Sequence, residues 1–178
     1  MHYAARAGAT TTIKLLTKAG ASLSARGYNE ATPLHLAVLG DHADAAQELI
    51  AAGASVLATA TSAATPLHWA ARHGGNRLIK LLVAAGAAVD AKSEGNATPL
   101  HWAAAGGSPE TIEALALAGA ELSAQASTGT PIETARAEGR TKNENALVWL
   151  QNGGLQALQA EETKRKKKRK RRSSKQEL

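Results

Sequence analysis

The chain has 178 residues, 44% of them hydrophobic, yet it holds no phenylalanine, no cysteine and only 3% aromatic residues. That length fits one domain with residues to spare, and the composition excludes a thick core of large side chains, disulfides and thiolate metal sites. The net charge of +6 divides unevenly: residues 1–160 carry 11 Lys/Arg against 12 Asp/Glu (−1), residues 161–178 carry 10 against 3 (+7), so the basicity belongs to a tail and not to the fold.

No stretch of about 18 apolar residues predicts a membrane-spanning helix, and the opening MHYAARAGATTT lacks the apolar run of a secretory signal. In chain order, Met1 to Ala5 comes first, with His2 one period upstream of His35 but without a Thr-Pro to open the unit. A partial repeat is therefore expected over 1–25. The chain is expected to start inside a repeat, as a fragment or through a misplaced start codon, with a frayed native first unit as the alternative. Thr-Pro-Leu-His then recurs at Thr32, Thr65 and Thr98, 33 residues apart, and Thr-Pro-Ile-Glu follows at Thr130. Ala-Gly-Ala triplets centred on Gly20, Gly53, Gly86 and Gly119 keep the same period, as do Leu16, Leu49, Leu82 and Leu115.

Each marker has a physical task. Thr caps a helix whose first turn tolerates proline, because the missing N–H has no partner there. One unit then predicts a helix over Pro66 to His73, a Gly74-Gly75 turn, and a second helix over Asn76 to Ala84 that Gly86 ends. A helix pair this small cannot bury its own apolar face, so stacking on neighbours must do it. Repeats are expected from about residues 26, 59 and 92, with a polar capping repeat over 125–154. Its second helix is placed at Glu144 to Gln151, with Ala146, Leu147 and Leu150 inward and Trp149 over the end of the stack. Residues 155–178 are expected to be a disordered Lys/Arg-rich tail.

The motifs TPLHLAV (32–38) and TPLHWAA (65–71 and 98–104) at this period resemble the ankyrin repeat family, over about residues 2 to 153. The resemblance implies an all-α solenoid of helix-turn-helix units with β-turn fingers, about four to five repeats long, whose usual work is protein–protein recognition. The family's glycine two residues before the threonine is replaced by Glu30, Ala63, Asn96 and Thr128, and its turn-opening aspartate by Gly27, Ala60 and Ser93. Less regular fingers are the expected result.

His2, His35, His68 and His101 look like metal ligands at a fixed interval. Stacked helices lie about 8–10 Å apart, however, and zinc needs ligand atoms at about 2.0–2.1 Å, so local bonds tying adjacent loops are expected instead. Trp69 and Trp102 suggest an aromatic groove, but Leu36 and Tyr3 at the same phase favour packing. The expected partner-binding surface is Arg26, Tyr28, Asn29, Glu30, Thr61, Ser62, Lys92, Glu94, Asn96, Gln125 and Ser127 in the fingers. Arg6, Leu39, Arg72, His73 and Glu138 on the first helices complete it. Tyr28, Arg26 and Arg72 are favoured as anchors, since hot spots favour Tyr, Trp and Arg.

Lys164, Arg165, Lys166, Lys167, Lys168, Arg169, Lys170, Arg171 and Arg172 form nine consecutive basic residues. They are expected first as a nuclear import signal, and second as a contact for RNA or DNA. Arg171-Arg172-Ser173-Ser174 resembles a basophilic kinase site. Lys175-Gln176-Glu177-Leu178 and the sequon Asn96-Ala97-Thr98 suggest the endoplasmic reticulum, the lesser alternative because both need secretion. No P-loop, dinucleotide glycine fingerprint, HExxH or GxSxG occurs. A non-enzymatic monomeric adaptor in cytoplasm or nucleus is expected, with no cofactor, metal or membrane span, and with a protein partner that an import receptor or nucleic acid joins through the tail.

Overall fold

A computed structural model describes residues 1–73 and 75–173, with side chains placed as far as Arg169. Helices pair along the chain as α1 (His2–Arg6) with α2 (Thr10–Lys18), α3 (Pro33–Leu39) with α4 (Ala43–Ala51), and α5 (Pro66–His73) with α6 (Asn76–Ala84). Then follow α7 (Pro99–Gly106) with α8 (Pro109–Leu117), α9 (Pro131–Ala137) with α10 (Thr141–Trp149), and α11 (Leu155–Ser173). The first helices stack on one another, α1 to α3 to α5 to α7 to α9, and the second helices stack likewise from α2 to α10. The two layers enclose a continuous core of Leu34, Leu67 and Leu100 with Leu49, Leu82 and Leu115. Ala37, Ala70, Ala71, Ala103 and Ala104 lie buried where first helices approach, small enough to let the backbones close in.

The second helix ends as the Ala-Gly-Ala pattern requires. Gly86 sits at φ +91°, its N–H donates to Val83 and the N–H of Ala87 donates to Leu82 at 2.9 Å, a left-handed C-terminal stop. The inner helices keep the predicted bounds. In the last repeat, α10 spans Thr141–Trp149 and not Glu144 to Gln151. Thr141 follows Thr130 by 11 positions, as Asn76 follows Thr65, so the helix register is unchanged. The two additional residues before Gly153 fall after the helix, in a wide turn over Leu150–Gly154. Leu147 and Leu150 are buried as expected, Ala146 only half so. Trp149 stays 45% exposed, its ring folded against Gly154.

Residues 155–173 are helical. Leu155 and Leu158 pack against the core. Glu161 pairs with Arg165 and Glu162 with Lys166, each one helical turn apart. Gln, Ala, Lys and Arg are good helix formers, and the two ion pairs offset part of the repulsion that the run of cations imposes. Gly74, the side chains of Lys170, Arg171 and Arg172, the phosphorylation candidate Ser174 and the Lys175–Leu178 motif lie outside the described residues.

Among the described residues the fingers are more alike than their departures from the family pattern suggest. Asn29 and Glu30 (φ +57° and +56°), Ser62 and Ala63 (+59° and +55°), and Gly95 and Asn96 (+68° and +60°) form the same two-residue left-handed turn. Each is closed by a backbone bond across its base: Gly27 to Ala31, Ala60 to Ala64, and Ser93 to Ala97, at 2.8–2.9 Å. The fourth finger differs, with Gly129 at φ +88° and a bridge between Ala126 and Gly129.

Candidate partner-binding groove

The geometry begins with the histidines. The N–H of Thr65 (3.1 Å) and its hydroxyl (2.9 Å) both donate to His68 Nδ1, so the ring proton sits on Nε2 and is donated to the Ala97 carbonyl at 3.2 Å. His35 does the same between Thr32 and Ala64, and His101 between Thr98 and Gly129. His2 reaches Ala25 and Ala31. His35, His68 and His101 thus each cap their own helix and clip the next finger to it, while His2 makes the clip alone. Burial pushes the pKa of His35 and of His68 from 6.5 down to about 4, and that of His101 down as well. Neutral rings suit this bonding. The described residues contain no group of three or more His, Asp or Glu side chains placed to hold a metal.

Trp69 stands edge-on to His35 of the repeat before it (5.2 Å, 69°), and Trp102 stands so to His68 (5.4 Å, 71°). The indole N–H of Trp102 donates to Ser93 Oγ at 3.1 Å. Packing is therefore one role of these indoles. Both rings also stay partly exposed and line an open groove of ≈ 450 Å³ with Asn29, Leu39, Thr61, Ser62, Arg72 and His73. The fingers supply one wall (Asn29, Thr61, Ser62), and the ends of α3 and α5 supply Leu39, Arg72 and His73. Indole and leucine make the lining more apolar than polar, and Arg72 brings a fixed charge. His73 has its pKa lowered by partial burial and by Arg72 beside it, so it is mainly neutral at pH 7.

Six of the residues expected at the surface thus meet in one groove. Tyr28, 90% exposed, and Glu30 lie on the same finger as Asn29. Arg26 is committed within the fingers, donating to the carbonyls of Glu30 and Thr59. Lys92, Glu94 and Asn96 stand exposed on the third finger, Gln125 and Ser127 on the fourth, and the N–H of Ser127 joins the two by donating to Gly95 at 2.8 Å. Arg6 and Glu138 are exposed at opposite ends of the first-helix layer, outside the groove.

Sequence reasoning did not find Asn143. Its buried side chain donates to the carbonyls of Ala103, Ala104 and Gly107 at 3.1–3.2 Å, where the equivalent inner positions hold Ala45, Leu78 and Thr111. No periodic signal marks it, because it appears once.

A solenoid of paired helices, clipped by histidines and open along one grooved face, defines a helical repeat protein built to present a surface. A family model for ankyrin repeats, in three copies, matches residues 1–60 and 57–126. The chain belongs to the ankyrin repeat family, whose members are generally protein–protein interaction modules. No curated protein matches the chain closely enough to count as a relative. Among the described residues no helix is long and apolar enough to cross a membrane.

Proposed function

We propose that the protein is a non-enzymatic, monomeric adaptor that captures a protein partner in the groove between its first and second fingers and α3, α5 and α7. The observation that carries this reading is the convergence of six variable positions with two partly exposed indoles on one open groove. Trp and Arg at its centre are the residue types that anchor interfaces. The rigid stack holds them in place before binding, which limits the entropy lost on association. The basic run that begins at Lys164 serves as a nuclear import signal, placing the adaptor in cytoplasm and nucleus.

The test is affinity capture from lysate with the full chain, washed at low and high salt and treated with nuclease. Arg72→Ala combined with Tyr28→Ala is expected to lose the specific protein partner at both salt concentrations. A partner retained by that double variant, or capture abolished by nuclease, overturns the groove reading. Replacing Lys166, Lys167, Lys168 and Arg169 with glutamine is expected to shift a fluorescent fusion out of the nucleus while leaving capture intact.

A further inference from the structure

The helix α11 does more than carry charge away from the fold. Its first turns dock through Leu155 and Leu158, so the basic segment runs along the outer layer of second helices. There Arg165, Lys166, Lys168 and Arg169 meet Lys80 of α6 around one open cleft of ≈ 410 Å³. Glu162 is the acidic group on that cleft, and it lies 3.8 Å from Lys166. Cations from two separate parts of the chain thus converge on this cleft, while Glu110, Glu113 and Glu161 border Lys80 and Arg165 on the side toward α8 and leave Lys168 and Arg169 as the outward edge of the site.

The geometry points to a composite site for the phosphate backbone of duplex DNA, formed by α11 together with Lys80. Three features select this occupant. From Lys164 to Arg169, the last residue whose side chain is described, every residue is basic. At a rise of about 1.5 Å per residue, the helix carries about one positive charge per 1.5 Å of its axis. Duplex DNA carries one negative charge per about 1.7 Å of its axis with both strands counted, so a helix this dense in cations keeps several free for the phosphates it faces after Arg165 and Lys166 pair with Glu161 and Glu162. A helix about 10–12 Å across with its side chains also fits a major groove about 12 Å wide, whereas the major groove of duplex RNA is too narrow.

The alternatives lack the parts they need. Single strands are held by stacking on aromatic rings, and residues 155–173 contain none. A helix lying in a membrane surface needs an apolar face, and none exists from Lys164 to Arg169. Contact is to phosphates, so recognition is independent of base sequence. The site is separate from the groove, and neither depends on the other.

The experiment is a fluorescence-anisotropy titration of the full chain against a labelled 24-base-pair duplex of mixed sequence, repeated over a series of salt concentrations. Parallel arms use the single strand of the same sequence and vesicles of phosphatidylcholine with one-fifth phosphatidylserine. Binding to the duplex is expected to be tightest, with a slope of log K against log salt of about −3 or steeper. Lys80→Ala is expected to weaken duplex binding at least about threefold and to make the slope shallower by about 0.9, one ion contact.

Leu155→Ala with Leu158→Ala keeps every charge but frees the helix from the array, and is expected to weaken binding by a similar factor. Far-UV circular dichroism verifies that the repeats remain folded. A shallower slope, or equal or tighter binding to single strand or vesicles, overturns the assignment to duplex DNA. Wild-type affinity in the Lys80 variant or in the Leu155/Leu158 variant overturns the composite site.

Discussion

The inner repeats and the last repeat solve the same capping problem with different side chains. Three residues after the threonine, the inner repeats place His35, His68 or His101, and the last places Glu133. Glu133 accepts from the N–H of Thr130 at 2.7 Å and from its hydroxyl at 3.0 Å, as the histidine Nδ1 atoms do from their own threonines. Only an imidazole has a second nitrogen on its far side, and each inner ring uses it on a finger 28 or 29 residues further along. After Thr130 there is no further finger among the described residues, and the side chain that appears serves the local cap alone. The histidine is therefore chosen for what it does between repeats, not for capping as such.

Acid is expected to break this comparison with the largest effect. His35 and His68 have folded pKa values of about 4 against 6.5 when unfolded, so between those values the unfolded chain binds protons that the folded chain refuses. Their contribution is complete above pH 6.5, declines as pH falls toward 4, and is constant below. Each ring is expected to remove roughly 3 kcal/mol across that window, with His101 adding to the loss in the same direction. Glu133 behaves oppositely in position: its pKa is lowered by the Thr130 bonds, so its contribution persists above 4.5 and is lost only below it. Urea denaturation at pH steps from 7.5 to 3.5 separates the windows. Constant stability from pH 7 to 5 would show that the rings are not held as neutral clips.

Mutation sharpens the same contrast at smaller scale. His68→Ala strips the acceptor from the buried Thr65 cap and the donor from Ala97, and it leaves Trp102 without its edge-on neighbour. A loss of about 3 kcal/mol is expected from the unpaired groups and the cavity together. Glu133→Ala removes one exposed cap and should lower the unfolding midpoint far less. Thermal unfolding followed by tryptophan fluorescence compares the two, and equal midpoints would mean that the link to the next finger contributes nothing.

What could be read in advance follows the line between periodic and singular features. The helix bounds of the inner repeats were legible because three independent series hold one period, and stacking makes each position answer to the same neighbours. The bounds of α10 were obscured by the two residues added before Gly153: counted from that glycine the helix shifts forward, although Thr141 keeps the spacing from Thr130 that Asn76 keeps from Thr65. The docking of Leu155 and Leu158 was not legible, because it depends on where the array ends in space. In the groove, the variable positions were legible as a set. The partial exposure of Trp69 and Trp102 was not, since a residue that packs on one side and opens on the other leaves the same trace as one that only packs.

The fingers carry the finest form of the comparison. Ala63 holds φ +55° in the second finger, a conformation that brings its Cβ toward the backbone, while the fourth finger gives its left-handed position to Gly129. Ala63→Gly should relieve that crowding, offset in part by the greater freedom that glycine gives the unfolded chain. A net gain of about 0.5–1 kcal/mol is expected. The mirror substitution, Gly129→Ala, imposes the strain and presses a methyl group against the Glu133 carboxylate, so it should destabilise. Urea midpoints for the pair decide the matter. Opposite signs would show that the inner fingers tolerate a strained turn that the last repeat avoids, whereas a midpoint lowered by Ala63→Gly would mean that the alanine methyl makes contacts worth more than the strain it causes.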